Sequence, residues 1–134
     1  MRKFLILFFM VLLSACASAP SWEGMSESEI SNWKDIGVTV DQVDTYVEAG
    51  MKPEQVKVWF EQGFNNANEI IPWASNKFTP EDAAGWKASG LSVEGAFQWA
   101  SNKFSYSEAK MWRDENFELD DAIDNRAKGL SPVK

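Results

Sequence analysis

A period of thirteen residues runs through most of the chain and constrains its fold more than any other feature. The word WASNKF occurs twice, at Trp73–Phe78 and at Trp99–Phe104, two such periods apart. Counted in thirteens, with one extra residue in the fourth unit, every unit begins with an apolar residue: Met25, Val38, Met51, Phe64, Phe78, Leu91, Phe104, Phe117 and, in a fragment that ends at Lys134, Leu130. Internal repeats of this kind indicate an array of small units stacked on one another.

Position 9 of the repeat carries a large aromatic side chain in all but the last full unit. Six of the seven tryptophans of the chain occupy it, and the residues in order are Trp33, Tyr46, Trp59, Trp73 (one late, because of the extra residue), Trp86, Trp99, Trp112 and Asn125. A buried Trp hides about 150–250 Å² of surface. One such ring in each unit therefore predicts a continuous hydrophobic core, supported by a second apolar row at position 6.

The other repeat positions carry the start and stop signals of short helices. Position 2 is Ser, Thr or Asn in six of eight units, which are residues that cap helix N-termini. Three residues later most units have Glu, Gln or Asp, as in a capping box. Position 13 is glycine in five of the eight units, which suits the left-handed residue that ends a helix. These signals predict a ten-residue helix, a turn, and an apolar position 1 that packs on the aromatic ring of the preceding helix.

The predicted fold is all-α, an array of about eight short helices over residues 25–134. Because isolated helices shorter than about 12–15 residues are marginal in water, the units must stack, either as a solenoid or as a compact bundle of helical hairpins. Pro72 predicts an irregularity in the fourth unit, read as a kink, a restart of the helix with a hinge before it, or a tolerated local change. Asn125 and three aspartates in the last full unit are typical of a terminal capping repeat, and the pattern of a calcium-binding EF-hand loop is absent there.

The first residues of the chain have the pattern of a secretory signal. Arg2 and Lys3 precede an apolar run of ten residues, Phe4–Leu13, which is too short to span a bilayer, since a spanning helix takes about 20 residues. Leu13-Ser14-Ala15-Cys16 then resembles the lipobox of bacterial lipoproteins. The resemblance implies that residues 1–15 are removed and that Cys16 carries the lipid, with enough acyl chains for stable anchoring. Ala17 after the cysteine implies sorting to the periplasmic face of the Gram-negative outer membrane.

The composition fits one modest domain on a short tether. Residues 16–24 are small and turn-prone, and about 119 residues remain after the signal, which is enough for a single domain. The full chain has a net charge of −7, and loss of Arg2 and Lys3 leaves 11 basic against 20 acidic residues. So acidic a surface is unsuited to nucleic acid or anionic lipid head groups. Because Cys16 is the only cysteine, no intramolecular disulfide can form.

No pattern of catalytic or metal-binding residues stands out. The chain has no histidine, which removes the commonest general base and metal ligand. The serines occupy capping positions, and the glycines occupy turns without the spacing of a phosphate-binding loop. We therefore expect a protein that is not an enzyme and that uses no cofactor or metal.

The function expected from these features is that of a membrane-anchored envelope lipoprotein acting as an interaction or scaffold module. Four apolar residues lie at positions where the repeat does not require them and form the candidate partner surface: Val58, Phe60, Phe97 and Met111. They either pack between helices or contact an envelope protein. The alternatives are a glycan- or peptidoglycan-binding lipoprotein that uses tryptophan faces, and a structural lipoprotein without a specific ligand. The oligomeric state is left open.

Overall fold

The computed structural model describes residues 19–132, and all the regular secondary structure within that range is helical. Eight α-helices of nine residues follow one another: α1 Glu27–Asp35, α2 Val40–Glu48, α3 Pro53–Glu61, α4 Ala67–Ser75, α5 Pro80–Ala88, α6 Val93–Ser101, α7 Tyr106–Asp114 and α8 Leu119–Ala127. The all-α array is confirmed. Each helix is one residue shorter than expected, because position 12 is the C-cap. Residues 1–15 and Cys16 lie outside the described range.

Every helix begins where position 2 predicts. The N-caps are Ser26, Thr39, Lys52, Asn66, Thr79, Ser92, Ser105 and Glu118. In α7, the Ser105 hydroxyl accepts the Glu108 N–H at 3.2 Å, and the Glu108 carboxylate accepts the Ser105 N–H at 2.8 Å. Such reciprocal bonds satisfy two backbone donors that the helix leaves free. The short elements are thus defined locally at their N-termini.

Every helix also ends by the same backbone motif. At the end of α6, Lys103 has a φ of 65°, its N–H donates to the Ala100 carbonyl at 3.0 Å, and the Phe104 N–H donates to the Trp99 carbonyl at 3.2 Å. This pair of bonds is a Schellman ending. The equivalent pair is present in all eight units, and the residue at position 13 has a positive φ in each.

The same two residues that share the Schellman bond also pack side chain to side chain. Four pairs meet edge-to-face with ring centroids 5.0–5.2 Å apart: Trp59–Phe64, Trp73–Phe78, Trp99–Phe104 and Trp112–Phe117. All seven aromatic residues at position 9 are buried, with exposures of 0–5%. The predicted contact between position 9 and position 1 is confirmed, and it carries the chain from one helix into the next.

Helices two apart in the chain pack on each other. Contacts join α1 with α3, α2 with α4, and α5 with α7, while α4–α5, α5–α6 and α6–α7 contact as neighbours. The structural repeat is therefore a pair of helices. The two WASNKF words lie at the ends of α4 and α6, at equivalent places in successive pairs, which accounts for their separation of two periods. One continuous cluster of buried apolar residues joins the units.

The extra residue of the fourth unit lies in the turn before α4. Asn65 stands between Phe64 and the N-cap Asn66, and its N–H donates to the Glu69 carboxylate at 3.0 Å. α4 then continues through Pro72 to Ser75. The interpretation in which the helix restarts at Pro72 is therefore wrong. The additional residue lengthens the turn before α4, and the helix itself is continuous.

Replacing a ring at position 9 should cost most of the stability of the array. We expect Trp86→Ala to lower the free energy of unfolding by about 3–5 kcal/mol, because the ring is 3% exposed and its loss leaves a cavity. Phe97→Ala is the control, since Phe97 is 49% exposed and should change stability by less than about 0.5 kcal/mol. Urea titration followed by circular dichroism measures both, and similar midpoints for the two variants would contradict the assignment.

The left-handed residue at position 13 provides a second test. Lys103→Gly should stabilise the domain by about 0.5–1 kcal/mol. A residue with an L side chain at positive φ costs roughly 1–2 kcal/mol, and glycine removes this strain. Part of the gain is lost because glycine has more conformational freedom in the unfolded chain. Gly90→Ala should destabilise it by a similar amount through backbone strain, since no atom lies within 4 Å of the added Cβ. Thermal melting compares them, and shifts of the same sign would refute this account.

Candidate interaction surface

The four candidate surface residues differ in exposure. Val58, Phe97 and Met111 are 44%, 49% and 42% exposed, on α3, α6 and α7 respectively, whereas Phe60 is half-buried against the core. Three further large apolar side chains, which the sequence analysis did not single out, are exposed: Val47, Tyr106 and Leu130. Of the four candidates, Val58 lies in a cleft.

That cleft lies between the end of α2, the face of α3 and the end of α4. Its volume is about 440 Å³, and the lining residues are Ala49, Gly50, Met51, Gln55, Val58, Trp59, Ala74, Phe78 and Pro80. A neighbouring cleft of about 300 Å³ shares Ala49, Met51 and Ala74 and adds Ile71, Ser75 and Lys77. We call the first of these the α2-end cleft. Its lining is mainly apolar side chains together with the last backbone groups of α2.

The packing of helices two apart explains why the α2-end cleft exists. In the fifth, seventh and eighth units the long side chain at position 10 reaches the end of the helix two units earlier. Arg113 of α7 donates to the Ser89 carbonyl at the end of α5, at 2.8 Å. Arg126 of α8 donates to the carbonyls of Asn102 and Lys103 at the end of α6 and lies 3.7 Å over the Phe104 ring. Long position-10 side chains thus cover earlier helix ends.

In the fourth unit the residue at position 10 is Ala74, which is too short to cover the end of α2. Ala49, at the same repeat position as Ser89 and Asn102, is exposed, whereas those two residues are half-buried beneath arginines. Among residues 19–132, no hydrogen bond ends on the carbonyl of Ala49 or of Gly50. The α2-end cleft is the space that a longer side chain would fill.

The ionisable groups with shifted pKa values do not line the α2-end cleft. Lys87 pairs with Glu69, and this hydrogen bond lowers the pKa of the Glu69 carboxyl. Hydrogen bonds from Ser105 lower the pKa of Glu108, and burial raises the pKa of the Tyr46 hydroxyl. Lys77 is a charged residue of the neighbouring cleft. Neutral groups therefore line the α2-end cleft itself.

The residue that creates the cleft could have been found from the sequence, but its effect could not. Aligning the units shows that position 10 holds Lys34, Val47, Phe60, Lys87, Arg113 and Arg126, but Ala74 and Ala100 in the two WASNKF words. The alanines stand out only once it is known that position 10 reaches the helix two units earlier. That contact depends on how the helices stack, which the thirteen-residue period does not specify.

No protein-family model matches this chain, and no curated protein or solved structure is similar enough to match it. Within residues 19–132, no group of three or more His, Cys, Asp or Glu side chains could hold a metal ion, the aspartates of α8 included. None of the helices in this range is both long and apolar enough to cross a membrane.

Proposed function

We propose that the protein is a lipid-anchored envelope lipoprotein that acts as a non-enzymatic protein-interaction module. The observation that carries the proposal is the α2-end cleft, a mainly apolar depression on the surface of the helical array. Pockets of this kind are the usual sites at which a few side chains of a partner are bound. The anchor is supported by the sequence Leu13–Cys16, and the outer membrane location by Ala17.

The burial of the tryptophans favours a protein partner over a glycan. Sugars stack on exposed indole faces, but the six tryptophans at position 9 are at most 5% exposed. Trp59 lines the α2-end cleft, yet it is 4% exposed, and its ring meets Phe64 edge-to-face at 5.0 Å. The rings are committed to the core, which leaves side chains such as Val58 and Phe78 to contact a partner.

The chemistry of the cleft favours binding over catalysis. Gln55 is the one polar side chain that lines it, and its carbonyl oxygen already accepts the Lys52 N–H at 2.9 Å. The lining contains no group that could serve as nucleophile, general acid or general base. A purely structural lipoprotein would have no need of such a cleft, and this difference separates it from the proposed function.

The anchoring part of the proposal predicts a change in fractionation. Cys16→Ser should abolish lipid attachment, so the protein should no longer remain with the outer membrane after mild washing. Metabolic labelling with a palmitate analogue and density-gradient fractionation measure this directly. Cys16→Ser protein that is still labelled and still found in the outer-membrane fraction would contradict the lipid anchor.

The interaction part predicts that filling the cleft removes a partner. Ala74→Phe introduces the residue that position 10 has in the third unit, Phe60, and should abolish crosslinking of the lipidated protein to an envelope protein. Ala88→Phe is the matched control, because Ala88 is exposed at the end of α5 and does not line the cleft. Crosslinking in cells followed by mass spectrometry compares them. The same crosslinks in both variants, or none in the unmodified protein, would overturn the proposal.

A further inference from the structure

We propose that the α2-end cleft binds an arginine side chain of the partner protein. The inference rests on the proposed function, namely that this cleft is a protein-docking site, and it adds the chemistry that is recognised. The geometry that points to it is the uncovered end of α2, at which the Ala49 carbonyl and Met51 occupy places that arginines cover elsewhere in the same array.

The array itself shows how such a helix end is covered. Arg113 bonds the position-12 carbonyl of α5, and Arg126 bonds the position-12 and position-13 carbonyls of α6 while lying over the position-1 ring. The corresponding groups at the end of α2 are the carbonyls of Ala49 and Gly50 and the side chain of Met51. Since all eight units share one backbone ending, an external arginine would meet the arrangement that the internal ones meet.

Electrostatics favour a cation at this place. The C-terminus of a helix carries a partial negative charge from its free carbonyls, and α2 has no basic residue in its last turn. Met51, Val58 and Phe78 line the cleft and offer apolar surface to the methylene stem of an arginine side chain. The net charge of −7 for the whole chain also attracts a basic partner from a distance.

Arginine fits the cleft better than lysine. At the end of α3 the covering residue is Lys87, which lies 4.9 Å over the Phe64 ring and pairs with the Glu69 carboxylate. The repeat position of Glu69 is occupied by Gln55 in the cleft, so a lysine there would have no carboxylate partner. At the end of α5 that position is Gly95, and Arg113 still bonds the backbone. A guanidinium, with five donors in a planar fork, needs only the carbonyls.

The nearby positive charge of Lys77 is compatible with this occupant. Lys77 and Lys103 occupy the same place in the two WASNKF words, and both have positive φ. Arg126 donates to the Lys103 carbonyl at 3.2 Å, so an arginine already lies beside a lysine of this type. A lysine at position 13 therefore does not exclude a guanidinium from the backbone of that helix end.

The test uses the full lipidated chain in detergent micelles and a capped Leu-Arg-Leu peptide as the probe. Peptide addition should shift the backbone amide resonances of residues 49–51 and of Ala74 in ¹H–¹⁵N spectra. The isosteric citrulline peptide, which lacks the charge, should bind at least about tenfold more weakly, because bonds from a charged donor are about twice as strong as neutral ones. A lysine peptide should also bind more weakly. Equal affinities for the three peptides, or shifts confined to other residues, would overturn the proposal.

A self-filling variant provides the matched control. Ala74→Arg should place an arginine of the chain itself over the end of α2, raise the melting temperature and abolish peptide binding, while Ala88→Arg adds the same charge outside the cleft and should do neither. Ala74→Phe, which fills the cleft without a charge, repeats the binding test should the arginine variant fail to fold. Peptide binding that survives a filled cleft would refute the inference.

The two proposals fail separately. Loss of the cellular crosslinks in Ala74→Phe without any binding of the arginine peptide would leave the docking site in place and reject arginine as its ligand. Arginine-specific peptide binding without cellular crosslinks would retain the recognition chemistry and reject the partner in the envelope.

Discussion

The contact between the ring at position 9 and the apolar side chain at position 1 supports the rest of the structure. A helix of nine residues is too short to persist by itself in water, so each must be held at its ends. Position 1 donates its backbone N–H to the position-9 carbonyl and also packs on the position-9 side chain. Between Phe104 and Trp99 the N–H to carbonyl distance is 3.2 Å and the ring centroids lie 5.0 Å apart. One pair of residues therefore closes a helix, sets the direction of the chain and buries the largest side chain of the unit.

A second layer of contacts lies at position 10 and joins helices two apart. Arg113 and Arg126 use it to satisfy the free carbonyls at the ends of α5 and α6. These contacts are not needed to form a unit, because the Schellman ending is complete without them, and so position 10 can vary. The candidate function arises from this freedom: Ala74 leaves the end of α2 open, and the surface acquires a cleft where a longer side chain would have covered it.

Interactions between residues close together in the chain made most of the fold predictable from the sequence, but they made little of the candidate site predictable. The N-caps, such as Ser105, and the left-handed endings, such as Gly90, depend on residues within five positions of one another, which a single sequence displays directly. The exposed apolar residues are different. Val58 and Phe97 are both apolar residues that the repeat does not require, yet only Val58 of the two lines the cleft. Phe60 is half-buried against the core. Which of them can meet a partner depends on contacts between units.

The sequence by itself determined the unit: where each helix begins and ends, which ring is buried, and that the units repeat. These features follow from hydrogen bonds and contacts between residues within about thirteen positions of each other. Over so short a range the chain connectivity alone brings the interacting residues together. The tertiary structure alone decided that helices two apart stack, and this stacking creates the α2-end cleft. It also explains Gly85, a glycine in the middle of α5: a Cβ added there would lie 2.5 Å from the Tyr106 ring of α7. Those contacts join residues about twenty or more positions apart, and their register depends on how whole side-chain surfaces fit together.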